Sequence, residues 1–217
     1  VTSEDISNAA FKFMDFRSAL PVGLHEVMVG RISFTGETGY EIWMHPEQQV
    51  SVFESLWEAG QEFSITPFGS RALLALAREK SFGTWAREFR PIYGPFEAGL
   101  GRFVDLSKNH FIGRDAAALE KANGPQRSRV SFVVEAEDAD AIGDEAVWKD
   151  GAVVGWVTSG GYCHFSECSY ATGYVAQSAL AELSAATQWD IEILGTRYKA
   201  RLLDTPLYDP QGLKMKQ

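Results

Sequence analysis

Beyond Gly124-Pro125 the chain changes its period, and that change limits the folds open to it. Arg129 to Ala136, Ala146 to Trp148, Val153 to Ser159, Tyr170 to Ala176, Trp189 to Leu194 and Arg197 to Leu203 are short runs rich in β-branched and aromatic residues, separated by turn-forming residues. Trp189, Ile191 and Ile193 alternate with Asp190 and Glu192, the period of a strand with one face buried. Asp150-Gly151 and Gly195-Thr196 read as hairpin turns. Six short strands at this spacing predict a small barrel or sandwich.

Before the change, helical and strand patterns mix. Val22 to Val29 and Arg31 to Met44 read as strands, the second interrupted by a glycine corner at Thr35-Gly36-Glu37-Thr38-Gly39. Pro46 suits a first helical turn, Val50, Phe53, Leu56 and Trp57 fall on one face, and Gly60 marks a stop. A second helix is expected from Phe68 to about Lys80, with Arg71 in its first turn. From Ser81 to Asp105 glycine and proline break every period, which predicts an ordered connection of the kind that frequently carries function. A short helix from Asp115 to Asn123 ends at Gly124-Pro125, where both residues oppose continuation. We therefore expect a domain boundary there, with residues 1–124 an α+β portion and residues 125–217 an all-β domain.

Composition removes several classes of function. The chain has 217 residues, 45% of them hydrophobic, enough to bury a core. With 29 acidic against 20 basic side chains, the net charge of −9 disfavours nucleic acid and anionic lipid, and no basic cluster offsets it. Lys214 and Lys216 read as a solvated tail. No run of about 18 apolar residues offers a membrane span. The two cysteines, Cys163 and Cys168, make no disulfide framework, which fits a reducing, cytoplasmic setting. Cys163-His164 and Cys168 lack a second pair of ligands at metal-binding spacing. The sequence opens at Val1 with neither methionine nor apolar leader, so a start inside a larger reading frame, or after processing, is expected.

Three blocks carry a family resemblance: Arg31 to Ile42 (RISFTGETGYEI), Glu97 to Arg114 (EAGLGRFVDLSKNHFIGR) and Gly155 to Val175 (GWVTSGGYCHFSECSYATGYV). The opening Asp5 to Phe11 (DISNAAF) adds a fourth. In this order they resemble the glycine-cleavage T-protein (aminomethyltransferase) superfamily, which includes dimethylglycine and sarcosine dehydrogenases and folate-dependent demethylases. The resemblance covers nearly the whole chain. It implies an incomplete α+β folate-binding portion followed by a small antiparallel β-barrel, in agreement with the boundary at Gly124.

The resemblance also implies roles. The family's tetrahydrofolate-binding glutamate falls on Glu41 and its folate-binding arginine on Arg71. A pterin edge presents adjacent N–H donors, and one carboxylate accepts two of them side by side. A guanidinium near a helix N-terminus suits an anion. Where many members carry a cavity-lining tyrosine this chain has Phe34, which keeps the ring and loses the hydroxyl. The family's catalytic aspartate lies in an N-terminal part that nothing here matches. A preceding segment or a complementary chain is therefore expected to supply it, and no residue of this chain is assigned as catalytic. Trp85, Arg87 and Tyr93, in the long connection, are candidates for the pocket of a small methylated donor; the alternative is packing and surface.

The implied function is transfer of a methyl or aminomethyl unit to tetrahydrofolate from an N-methyl, O-methyl, S-methyl or aminomethyl donor. The alternative is a non-catalytic folate-binding or scaffold module of a flavin-dependent dimethylglycine or sarcosine dehydrogenase. No Gly-x-Gly-x-x-Gly fingerprint occurs, so any flavin lies outside this chain.

Overall fold

Val22 to Val29 reads as one strand, but Gly23 takes φ +60 and turns the chain. A side chain at that position would collide with the Ser55 hydroxyl, 2.5 Å from the ideal Cβ. A hairpin results: β1 (Phe16–Val22) and β2 (His25–Gly30), with Val22 opposite His25 and Leu20 opposite Val27. The second expected strand shrinks to β3 (Glu41–Trp43), which adds antiparallel to β2 and completes an open sheet in the order β1-β2-β3. Residues 31–40 stay irregular, because the glycine corner never presents a continuous edge for pairing.

These elements belong to the first of two compact units in the computed structural model, which describes every residue except 182. That unit comprises residues 1–80 and 208–217, and the second comprises residues 81–207. The first buries one face of its sheet, where Leu20, Val22, Val27 and Val29 pack with Phe11 and Val52. Val52 comes from helix α1 (Gln49–Gly60), which follows a short 3-10 turn at Pro46–Gln48. Here the helix confirms its expected span but not its expected face. Val52 and half-buried Leu56, one turn apart, meet the sheet, whereas Val50 and Phe53 are 66% and 60% exposed. Helix α2 (Ser70–Glu79) lies within its expected range.

The second unit opens with the connection from Ser81 and with α3 (Arg114–Asn123), then enters the barrel at β4 (Arg127–Val134). There follow β5 (Ala146–Lys149), β6 (Ala152–Cys163), β7 (Cys168–Ala176), β8 (Trp189–Ile193) and β9 (Thr196–Leu202). All pairings are antiparallel, and the sheet closes in the order β4-β7-β6-β5-β8-β9. The fold class is therefore the expected one: a mixed α+β part followed by an antiparallel β-barrel. Asp150 and Gly151, both at positive φ, make the expected two-residue turn. The last hairpin turns on Leu194-Gly195, one residue earlier than expected, because Ile193 pairs with Thr196. Phe132, Val147, Val157, Val175 and Ile191 fill the interior.

Strand β7 is buried on both faces. Ala171 and Val175 point into the barrel, while Tyr170, Thr172 and Tyr174 alternate with them and face outward. The connection from Ser81 covers that outer side through the carboxylate of Glu88. Glu88 is 0% exposed; it accepts hydrogen bonds from the Thr158 hydroxyl (2.6 Å), the Ser159 hydroxyl (2.7 Å) and the Thr84 amide (2.8 Å). Its main-chain oxygen accepts the Tyr174 hydroxyl at 2.7 Å. Burial raises the pKa of both Tyr170 and Tyr174, so each remains a neutral phenol. Compactness thus groups residues 81–123 with the barrel, whereas the strands themselves start three residues after Gly124.

Candidate functional site

Strand alternation divides the first unit's sheet into a core face and a bare one. Ile42 lies opposite Val29 on the core side; Glu41 lies opposite Gly30, and Gly30 opposite Phe16. The next row on the bare side pairs Met28 with Trp43. Phe16, Met28, Glu41 and Trp43 are all exposed. The Trp43 indole lies over Gly30, where an added Cβ would stand 2.9 Å from the ring, and its centroid is 6.4 Å from that of Phe16. Glu41 therefore presents a carboxylate beside an aromatic floor that no residue of its own unit covers. Among the described residues its side chain makes no hydrogen bond or ion pair, so its acceptor sites remain available.

Arg71 is the second residue of α2 and is exposed, with no ion pair or hydrogen bond among the described residues. Among the described residues, Glu41 and Arg71 share no hydrogen bond or ion pair. Phe34 is half-buried and stands in the irregular stretch leading to the glycine corner. All three candidates thus belong to the first unit.

The candidates in the second unit differ among themselves. Trp85 is 82% exposed, with an edge-on contact to Phe89. Arg87 is also exposed, its guanidinium beside Gly143. Tyr93 is half-buried: its ring stacks on Tyr174 at 3.8 Å and 15°, and its hydroxyl accepts the Trp156 indole N–H at 3.2 Å. That unit also holds a cleft of about 790 Å³ lined by Glu135, Glu137, Asp138, Asp140 and Glu167. Five carboxylates there repel an anionic ligand.

A further group escaped the sequence reading because its members lie far apart in the chain. Lys80 follows α2 and is buried; its ammonium pairs with Asp209 at 3.0 Å and also donates to the Asp209 main-chain oxygen. Burial pushes the Asp209 carboxyl up, but the Lys80 ammonium and the Leu213 and Lys214 amides outweigh it and hold it below the usual carboxylate value. Arg31 is 1% exposed and donates to the main-chain oxygens of Phe11 and Gln217, each at 2.6 Å. The only advance signal was Arg31 heading a family-like block.

Residues 1–108 match the GCVT N-terminal domain, and residues 127–209 match the glycine cleavage T-protein C-terminal barrel domain. The chain is 39% identical over 208 residues to the mitochondrial dimethylglycine dehydrogenase of Homo sapiens, covering 95% of this chain and 24% of that protein. It is 32% identical to an aminomethyltransferase of Lysinibacillus sphaericus, covering 96% of this chain and 55% of the relative. The crystal structure of the glycine cleavage system aminomethyltransferase T from Bartonella henselae superposes with a TM-score of 0.74 at 23% identity, over 85% of this chain and 50% of that one. The chain thus spans about a quarter of the dehydrogenase and about half of the transferases.

Proposed function

Because the chain belongs to the glycine cleavage T-protein family, we propose that it is the C-terminal portion of a tetrahydrofolate-dependent methyl or aminomethyl transferase or demethylase. One observation carries the reading: Glu41 stands on an uncovered sheet face beside Trp43 and Phe16, with its acceptor sites unspent. A carboxylate over an aromatic floor fits a pterin, whose ring stacks and whose edge donates paired N–H groups. Tetrahydrofolate, when bound, accepts the one-carbon unit. This chain's residues hold and orient it. Glu41 takes the pterin edge, Arg71 offers a fixed donor fork to an acceptor or anion, and Phe34 supplies an apolar ring without a hydroxyl.

The proton-handling aspartate comes, in this reading, from a segment that precedes residue 1 in the full protein or from a complementary chain. That polypeptide also covers the bare face around Phe16, Met28 and Trp43, which is more apolar than a solvent-facing sheet side normally is. Exposed Trp85 and Arg87 then serve a small methylated donor, the indole as an apolar wall and the guanidinium as an attractor for a carboxylate; Tyr93 braces the connection that bears them. The cytoplasm is the setting its cysteines suggest, and the dehydrogenase relative is mitochondrial; both compartments keep such thiols reduced.

A second reading has its own support. Identity to the dehydrogenase, 39%, exceeds identity to the Lysinibacillus transferase, 32%. On this reading the chain is a folate-binding module of a flavin-dependent dehydrogenase whose oxidation occurs elsewhere in the protein. Flavin absorbance in the purified natural full-length protein separates the two.

The site is tested by titrating tetrahydrofolate into that protein and into its Glu41→Ala and Arg71→Ala forms. Hydrogen bonds to charged groups predict a loss of about tenfold or more in affinity for each. Unchanged affinity in both removes the assignment.

A further inference from the structure

The glycine corner that delivers Glu41 carries no strand pairing of its own from residue 31 to residue 40 among the described residues. Something other than a ladder must fix its shape. Its local bonds are short-range: the Ser33 hydroxyl accepts the Gly36 amide at 3.0 Å, and the Thr35 hydroxyl accepts the Glu37 amide at 3.4 Å. Among the described residues, the longer-range hydrogen bonds of residues 35–38 go to the segment Tyr208–Gln217, which folds into the same unit. Thr38 donates from one hydroxyl to the main-chain oxygens of Lys214 and Gln217, both at 3.1 Å. The Tyr208 hydroxyl donates to Glu37, and that hydrogen bond raises the phenol's pKa.

Below the corner, Gly36 at φ +86 rests on the aliphatic stem of Lys80; a Cβ there would stand 2.5 Å from Lys80 Cγ. The ammonium at the end of that stem is the one that grips Asp209. Asp209 in turn caps the amides of Leu213 and Lys214, which sets the turn that places Lys214 and Gln217 under Thr38. On the other flank, Arg31 ties the Gln217 oxygen to that of Phe11; Tyr40, the residue before Glu41, donates to the Ile6 oxygen at 3.1 Å. The corner is thus held between the N-terminal segment and the C-terminal one.

We propose that Tyr208–Gln217 is a positioning element for Glu41, clamped by Lys80–Asp209 and read by Thr38, so that docking of this segment and occupation of the folate site are linked equilibria. The inference rests on the folate reading above. Linkage is reciprocal: if the docked segment raises folate affinity by some factor, folate raises docking by the same factor. A segment that only stabilised the fold would leave the folate affinity of the folded protein unchanged when it is undocked.

The test uses the natural full-length protein, with tetrahydrofolate as probe, and reads affinity by titration and docking by hydrogen exchange of residues 208–217. Folate is expected to slow exchange in that segment. Asp209→Ala is expected to speed exchange there and to weaken folate by about tenfold; Thr38→Val, at an exposed position that does not threaten folding, by about threefold, with Thr38→Ser restoring it. Faster exchange with affinity within about twofold of the unsubstituted protein overturns the inference alone, by the same conversion. So does exchange that neither Asp209→Ala nor Thr38→Val alters. Absence of folate binding in the unsubstituted protein overturns the folate reading and this inference together.

Discussion

The two units solve the edge problem of a sheet in opposite ways. The barrel closes on itself, so every strand has two partners and β7 is buried inside and out. The open sheet keeps β1 and β3 as edges, covers only one face, and leaves Phe16, Met28 and Trp43 in the open on the other. A three-stranded sheet with one helix of real contact is near the lower limit of independent stability, whereas a closed barrel with a filled interior is well above it. The difference lies in which polar groups are left without partners. The second unit uses Glu88 internally, on Thr84, Thr158 and Ser159, while among the described residues the open unit leaves Glu41 and Arg71 without a hydrogen bond or ion pair.

The comparison breaks most readily at the cores. Ile191→Ala in the barrel is expected to cost about 2–5 kcal/mol in chemical denaturation, because a closed wall cannot collapse into the space. Leu20→Ala removes a similar volume from the open unit and is expected at the low end of that range, about 2 kcal/mol, since a sheet with free edges relaxes. Equal losses, followed by fluorescence and far-ultraviolet dichroism, would show the open unit to be as rigid as the barrel. A smaller effect tests the buried carboxylate. Glu88→Gln keeps one acceptor oxygen but turns an amide NH₂ towards donors, and is expected to cost about 1–3 kcal/mol and to speed hydrogen exchange across residues 81–105. Loss of stability without faster exchange there would mean that other contacts hold the connection. The smallest effect is expected on the bare face. Trp43→Ser should cost about 1 kcal/mol, since the indole rests on Gly30 beside Phe16, and should lower self-association by light scattering if that indole awaits a covering polypeptide.

Strands written as alternation or as β-branched runs were legible: Trp189 to Ile193 forms β8 as expected, and the Asp150-Gly151 turn lies where its residue types demand. So were the helices, whose starts and stops depend on local chemistry at Pro46, Gly60 and Gly124. The hairpin at Gly23 was not, because Val22 and His25 continue a β-type pattern across a turn that one glycine permits. The buried face of α1 was misjudged for a related reason. Val50, Phe53 and Trp57 make as good an apolar stripe as Val52 and Leu56, and only the position of the sheet chooses between them.

Local rules, acting through periodicity and turn chemistry, therefore settled the kinds of element, the all-β character of the second half and the residue types at the glycine corner. Tertiary structure alone decided which face of the first sheet stays bare, that Glu41 stands on it, and that a segment from the chain's far end locks the corner through Lys80, Arg31 and Thr38. Backbone propensity extends over a few neighbouring residues. A contact between positions 31 and 217 becomes favourable only once packing has excluded water from both.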